Sequence, residues 1–596
     1  TKEIFMTDKL FSIPTDTSSY ETIVENNCYY VDKTSALKTV FQDDPSQVLL
    51  ITRPPYFGKS LTMSMFKSFL VLNTDDPNDL SRHIELFKDK EIYKDQEFCD
   101  KFMGKYPVIF ISFKEVRGKT WKIAYKKAAK EIYCLTTSFK FLQTSTKLNQ
   151  YDKQILNHLL DLDFLSDLDN LDILGFSLWY LTKLLYKHFD KSVIILIDDY
   201  ETPLVEASKY GYYREMEDLM ASLYGSALKD NDKYVQKAVL AGVIRPGSEN
   251  FITAINNLCS NTIFSGFNAL STAIGFTEKE TDELLDYYGL SEFKAEVQEN
   301  CGGYNFNHHE IYNPYGVVSF CKAALNTQDK SCVEVKSYQH STSLNAVLKE
   351  FLAEILPCVS DDLQTLVDGG AVSKNLYVFI DHEWLKNYNR SDFWSFQVYA
   401  GYLTPSKDAV FDIDHEPIDL VIPNTSVLKA FRENILENFT SDKAQLAYAN
   451  DIIKAIFDGK ADELKLALNS LLKGFILVKD FSSTESDESY YQGFLNGFFS
   501  SQKKVIDNYA SNAELGNGYA DITFTNKDGD IAVIIEIKHS QEKEECKQIA
   551  IAALDQIDQK EYYQKFMRDL DITNIYCYGI CFYKKSCSVA FKEIKK

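Results

Sequence analysis

Positive charge is scarce in this sequence: 64 lysines and arginines stand against 86 aspartates and glutamates in 596 residues, a formal net charge of −22. That balance disfavours a protein that coats nucleic acid through bulk charge and leaves any polyanion to a local basic groove. Long apolar runs are missing too. Nothing approaches the roughly 20 uninterrupted apolar residues of a membrane span, and stretches such as Val193–Ile197 have the length of buried strands. The 12 cysteines include no CxxC pair, and Cys577, Cys581 and Cys587, the nearest to a cluster, have no histidine close by. Core thiols are therefore expected rather than zinc ligands, and with them a reducing compartment. The first residues show no charged start leading into an apolar segment and a cleavage site, so a cytoplasmic location is expected. Glycine (25) and proline (13) are sparse, and neither an internal repeat nor a low-complexity linker is found. What is present is ordinary globular material, 45% apolar and 25% charged, with 37 Tyr and 40 Phe to fill large cores. The length suggests about three or four domains.

Short apolar strands alternate with helical stretches in the first half. Gln47–Thr52, Tyr106–Ser112, Ser192–Ile197 and Ala238–Ile244 read as buried strands of a parallel α/β sheet. Residues 265–480 read as a mostly helical middle or lid region broken by aromatic loops at Gly302–Phe306 and Gly401–Thr404. The polar segment Phe481–Asp487 reads as a linker. After it, Ala520–Phe524 and Ile531–Lys538 flank an Asp-Gly turn and predict a hairpin, followed by a helix near 549–566 and a strand near 576–582. The expected domains are 1–264, 265–480 and 481–596.

The run Phe57-Gly58-Lys59-Ser60 lies between a strand and a helix, the context of a phosphate-binding loop. Such a loop turns its backbone N–H groups toward phosphates at a helix N-terminus. Lys59 would reach the β- and γ-phosphates and Ser60 would hold Mg²⁺. Arg53 occupies the position of the usual first glycine. The third strand ends in Asp198-Asp199, so Asp198 is expected to bind the metal and Asp199 to polarise an attacking water. The alternative is a solvated strand end.

Tyr29-Tyr-Val-Asp-Lys-Thr34, Arg53-Pro-Pro-Tyr-Phe-Gly-Lys-Ser60 and Ile197-Asp-Asp-Tyr-Glu-Thr-Pro-Leu204 together resemble an AAA-ATPase-like family rich in prokaryotic members. Its loop commonly reads RPRRFGKS, so Arg53 is a family habit, and its acidic strand commonly reads IDEYDTPL, so Asp199 and Glu201 exchange the usual acids. The resemblance implies ATP binding through Arg53, Gly58, Lys59, Ser60 and Asp198, and makes Arg245 a γ-phosphate contact.

In Val533–Lys538 the pleat puts Ile534, Glu536 and Lys538 on one face. Hairpin pairing would carry Asp521 toward Glu536, and two converging carboxylates need a cation such as Mg²⁺ or Mn²⁺ between them. Lys538 would orient the attacking water or stabilise the leaving geometry. The bland reading is a solvated Glu–Lys pair. This D…ExK arrangement, with Glu488–Leu495, Gly516–Asp521 and Ala553–Ile557 around it, resembles the PD-(D/E)XK nuclease superfamily. The resemblance implies that Glu488 assists the metal and that Gln556 lines the site, and it sets Tyr519 where arginine is common. His539 is expected to pack rather than act as a base, and Glu514 to cap a turn.

The expected fold is thus a P-loop parallel sheet, a helical middle region and a C-terminal α/β nuclease-like domain. The expected function is an ATP-binding protein whose Mg²⁺-dependent nuclease domain hydrolyses DNA or RNA, with an oligomer open. Two alternatives stay open: a nucleotide-regulated switch whose nuclease-like domain is inactive, and an ATPase whose C-terminal domain only senses nucleic acid.

Overall fold

The computed structural model of the chain describes residues 10–327, 365–377, 390–411, 417–431, 451–475 and 505–595 apart from short gaps, with scattered positions near 333, 359–363 and 491–502. It divides into two units, residues 1–351 with 371–431, and residues 352–370 with 432–596. The residues read as a helical middle region are therefore shared between two bodies.

The first unit is built on strands β1 (Val48–Thr52), β2 (Val108–Ser112), β3 (Val193–Asp198), β4 (Val235–Gly242) and β5 (Leu258–Asn261), all parallel, in the order β2-β3-β4-β1-β5. Helices cover the sheet, including Trp121–Thr137, Ser177–Phe189 and Tyr213–Leu228, whose apolar stripes bury against it. That is why β1 and β3 read as continuous apolar runs rather than alternating ones. The four expected strands are present. The fifth, β5, is only four residues long and mostly polar, Leu-Cys-Ser-Asn, so composition conceals it.

Register decides where the strands stop. Thr52 pairs with Gly242, Asp198 with Ala241, and Ser112 with Asp198. Four carboxyl ends are therefore level, and the loops that leave them share one edge of the sheet, where such sheets take ligands. Beyond residue 265 the first unit also holds short antiparallel strands: β6 (Phe276–Thr277), β7 (Tyr304–Phe306), β8 (His309–Tyr312), β9 (Val372–Lys374), β10 (Thr404–Pro405) and β11 (Ile418–Val421). The segment read as an aromatic loop, Gly302–Phe306, thus ends in a strand. Tyr304 and Phe306 bury against Phe57 of the glycine-containing loop, with ring centroids at 4.9 and 5.3 Å.

The second unit carries β12 (Ile506–Leu515), β13 (Gly518–Asn526), β14 (Ile531–His539), β15 (Asn574–Tyr583) and β16 (Ser586–Lys595) in sequential order. The expected hairpin is β13–β14, with Gly529 at φ 74° in its turn. The helix Cys546–Gln559 crosses from β14 to its parallel neighbour β15. One face of β14, with Val533, Ile535 and Ile537, packs on apolar residues of 451–472 and on Leu495 and Phe499. Ala532 and Ile534 face Ile557 and Tyr562. The helix at 451–457 and the helix Ala461–Phe475 are thus part of the second unit's core.

Gly579, in register with Glu536, lets the crossover helix lie directly on the sheet. A Cβ there would stand 2.1 Å from Ala550 O and 2.6 Å from Leu554 N. Gly579→Ala is expected to lift the helix and destabilise this unit by about 1–3 kcal/mol, the usual cost of overpacking, read as a lower denaturation midpoint.

Candidate functional site

In the first unit, β1 runs through the loop 53–58 into the helix Lys59–Leu70, whose preceding residue Gly58 has φ 92°. Glycine takes that left-handed turn without a Cβ clash. Tyr56 is also left-handed, at φ 69°. Lys59 is buried, and its Nζ donates to Arg53 O at 3.0 Å and Pro54 O at 2.9 Å, so the ammonium is folded back on its own loop. The Ser60 hydroxyl lies near enough to the Asp198 carboxyl to draw it down. The hydroxyl and the strand-end carboxylate expected to share a cation are therefore neighbours. Oδ1 of Asp198 is buried with no hydrogen-bond partner among the described residues, and hard oxygen donors of this kind fit Mg²⁺.

Acids crowd this end of the sheet. Burial first, and then the neighbouring charge of Asp199, push the Asp198 carboxyl up to about 6. Burial and Asp199 likewise push Glu201 up to about 8, although Val243 N–H donates to it at 2.6 Å. Desolvation lowers Lys59, and Asp199, Glu201 and Asp198 oppose that in turn. Asp199 sits at φ 52°, a left-handed conformation uncommon for a non-glycine residue. A cavity of about 530 Å³ opens over the loop, lined by Gly58–Thr62, Asp199 and Glu201 together with apolar groups including Ile13, Tyr29, Tyr288 and Val318.

Two expected contacts lie elsewhere. Arg53 is 1% exposed, and its guanidinium donates to Thr52 O, Asn261 O, Asn261 Oδ1 and Leu270 O at 2.8–3.2 Å. Burial lowers it to about 10. Its side chain does not line the cavity, so it braces the loop from behind. Arg245 donates to Ser260 Oγ at 2.6 Å and is likewise not in the cavity wall. Glu201, by contrast, lines the cavity and received no role from the sequence.

In the second unit the pairing Ile522↔Ile535 is the last of its register, so Asp521 and Glu536 follow where β13 and β14 part. Asp521 Oδ2 accepts the N–H of Ile537 at 2.7 Å, a side chain standing in for the missing strand partner. Glu536 is 2% exposed. Its Oε1 accepts from Lys538 Nζ at 3.0 Å and from Gln556 Nε2. Burial, then Gln556, then the charges of Glu536, Asp521 and Lys538 all act on the Tyr562 hydroxyl, which lies 3.4 Å from Gln556 Nε2. The expected quartet of Asp521, Glu536, Lys538 and Gln556 is therefore gathered at one strand end. Gln492 joins it unforeseen, donating to Asp521 Oδ1 at 3.2 Å and to Asn512 Oδ1 at 2.7 Å. Its only sequence signal was a place four residues after Glu488. Glu488 itself lies outside the described residues, as does the side chain of Glu514. Tyr519 is 62% exposed. His539 stacks on Tyr491, at 5.9 Å and 19°. Among the described residues no three or more His, Cys, Asp or Glu side chains are grouped to hold a metal, and no helix is long and apolar enough to cross a membrane.

Comparison with known proteins gives each unit its class. Residues 14–251 match the model of the AAA-ATPase-like family, described as predicted AAA-ATPase. Residues 486–592 match that of the PD-(D/E)XK nuclease superfamily. The chain carries an AAA-ATPase-like domain followed by a nuclease-superfamily domain. It is also 30% identical over 129 residues to a protein of Azotobacter chroococcum mcd 1 described as an uncharacterized protein in the vnfD 5′ region. That match spans 21% of this chain and about a quarter (24%) of the relative's length.

Glu201 generates a pH signature. A carboxyl that keeps its proton to about pH 8 in the folded state, against an ordinary value near 4.5, releases that proton on unfolding in between. Its contribution to stability therefore falls as pH rises through that window and levels off above about 8. Asp198 contributes in the same sense only up to about 6. Glu201→Gln is expected to flatten the loss of stability between pH 6 and 8, as read from denaturant midpoints of variant and parent across pH.

Proposed function

We propose that this protein binds ATP in its first domain and hydrolyses phosphodiester bonds of DNA or RNA in its second, with Mg²⁺ or Mn²⁺ at both sites. The observation that carries the nuclease reading is the burial of Glu536 between Lys538 and Gln556, beside Asp521. A carboxylate removed from water at the end of an apolar strand is costly unless it is paired or neutralised. A surface Glu–Lys pair would need no such arrangement.

Asp521 and Glu536 are the residues that would hold the cation, their oxygen donors suiting Mg²⁺ or Mn²⁺. When bound, such a cation supplies Lewis acidity toward the phosphodiester. Gln556 fixes the Glu536 carboxylate. Lys538, 27% exposed at its side chain, presents an ammonium that can orient a water or meet phosphate charge. In the first domain, Ser60 and Asp198 are the matching pair for a nucleotide-bound Mg²⁺. Lys59 would exchange the carbonyls of Arg53 and Pro54 for phosphate oxygens, in a cavity lined by both polar and apolar groups.

A second reading is a nucleotide-regulated binding protein with an inactive nuclease-like domain. It is favoured by the exposed Tyr519 where the nuclease family commonly carries arginine.

The full-length protein with Mg²⁺ or Mn²⁺ is expected to cut labelled DNA or RNA. Asp521→Ala and Glu536→Gln should each reduce cutting by about a hundredfold or more with the fold intact by circular dichroism. Cutting by Asp521→Ala at the parent rate would reject the assignment, and metal-independent retention of nucleic acid without cutting would favour the second reading. In the first domain, Lys59→Ala should abolish ATP binding measured by calorimetry.

A further inference from the structure

The loop that leaves β2 brings two cations to the cavity that the sequence did not connect with it. Phe113 donates its N–H to Asp198 O at 3.0 Å, so Lys114 begins directly beside the acidic end of β3. Two tight turns follow, Val116 N–H to Phe113 O at 3.0 Å and Arg117 N–H to Glu115 O at 2.8 Å. Arg117 Nε then donates to Lys114 O at 2.7 Å, and Tyr212 anchors the far end of the loop through its hydroxyl to Gly118 O at 2.5 Å. The guanidinium is thus held by its Nε. Both Lys114 and Arg117 line the cavity whose wall includes Gly58–Thr62, Asp199 and Glu201. Among the described residues neither forms an ion pair with a carboxylate.

A polyphosphate placed against the Asp199 carboxylate meets like charge, and Lys59 alone is a small counterweight. Arginine's planar fork suits phosphate oxygens better than a point charge does. Arg245, to which the resemblance assigned the γ-phosphate, is engaged with Ser260 outside the cavity wall. The level strand ends explain the exchange. β2 stops at Ser112 beside Asp198, so its loop reaches the same edge as the glycine loop after β1.

We propose that Arg117, supported by Lys114, is the cation from the same chain that contacts the terminal phosphate of a nucleoside triphosphate held by the Lys59 loop. The inference rests on that loop being a nucleotide site. It makes this loop the element that separates triphosphate from diphosphate.

Calorimetric titration of the full-length chain with ADP and with the non-hydrolysable analogue AMPPNP, each with Mg²⁺, tests it. Arg117→Ala should weaken AMPPNP roughly tenfold or more, the worth of a charge-assisted hydrogen bond, and leave ADP within about twofold. Arg117→Lys should recover part of the loss, and Lys114→Ala should show a smaller loss of the same kind. Lys59→Ala should weaken both nucleotides. If Arg117→Ala binds both as the parent does while Lys59→Ala loses both, the Arg117 assignment falls and the nucleotide site stands. Equal loss of both nucleotides, with a lowered denaturation midpoint, would make Arg117 a structural residue and also overturn the proposal. Normal binding of both by Lys59→Ala would remove the nucleotide site itself, and this inference with it.

Discussion

A carboxylate taken out of water at the end of an apolar strand has to be given partners, and both domains are arranged around that requirement. Asp198 closes β3 at 3% exposure, and Glu536 lies near the end of β14 at 2%. An ionised carboxylate in such surroundings is expensive unless it is paired, hydrogen-bonded or protonated. In the first domain Ser60 supplies a hydroxyl, and protonation eases the crowding with Asp199 and Glu201. In the second, Lys538 and Gln556 converge on one oxygen of Glu536. Groups that meet this demand are also the groups that suit phosphate chemistry, because both problems concern concentrated negative charge away from bulk water.

Close backbone approach is the means in both places. Gly242 is the last residue of β4, and a Cβ there would lie 2.1 Å from Glu201 Oε2 and 2.6 Å from the Tyr200 ring. Gly579 plays the same part beneath the crossover helix that carries Gln556. Gly242 leaves room for the Glu201 carboxyl, and Gly579 for the backbone of the helix that carries Gln556; a methyl group would displace either. The conformational freedom of glycine matters instead at Gly58, where the positive φ opens the helix N-terminus.

Much of this was legible along the chain. The four main strands of the parallel sheet showed as short apolar runs because helices cover both faces. The β13–β14 hairpin showed through its Asp-Gly turn, and the ExK pattern through the pleat. What stayed hidden was hidden for physical reasons. β5 is short and polar, and β12 and β16 lack clean apolar alternation, so neither pattern nor composition separates them from loops. Gln492 and Tyr562 are ordinary polar and aromatic residues until the fold sets them beside Asp521 and Gln556. Arg53 sits in a phosphate-loop motif, yet Asn261, over 200 residues away, draws its guanidinium into the core.

The sequence by itself determined the parallel α/β layout of the first unit, the glycine loop with its lysine and serine, and the hairpin that carries Asp521 toward Glu536, because each is written in local spacing or in strand periodicity. Which cations face the cavity over the glycine loop was decided only in three dimensions. Strand register levels the ends of β1 to β4, and that alignment, a property of hydrogen bonding between distant segments, admits Arg117 to the cavity wall and leaves the side chains of Arg53 and Arg245 out of it.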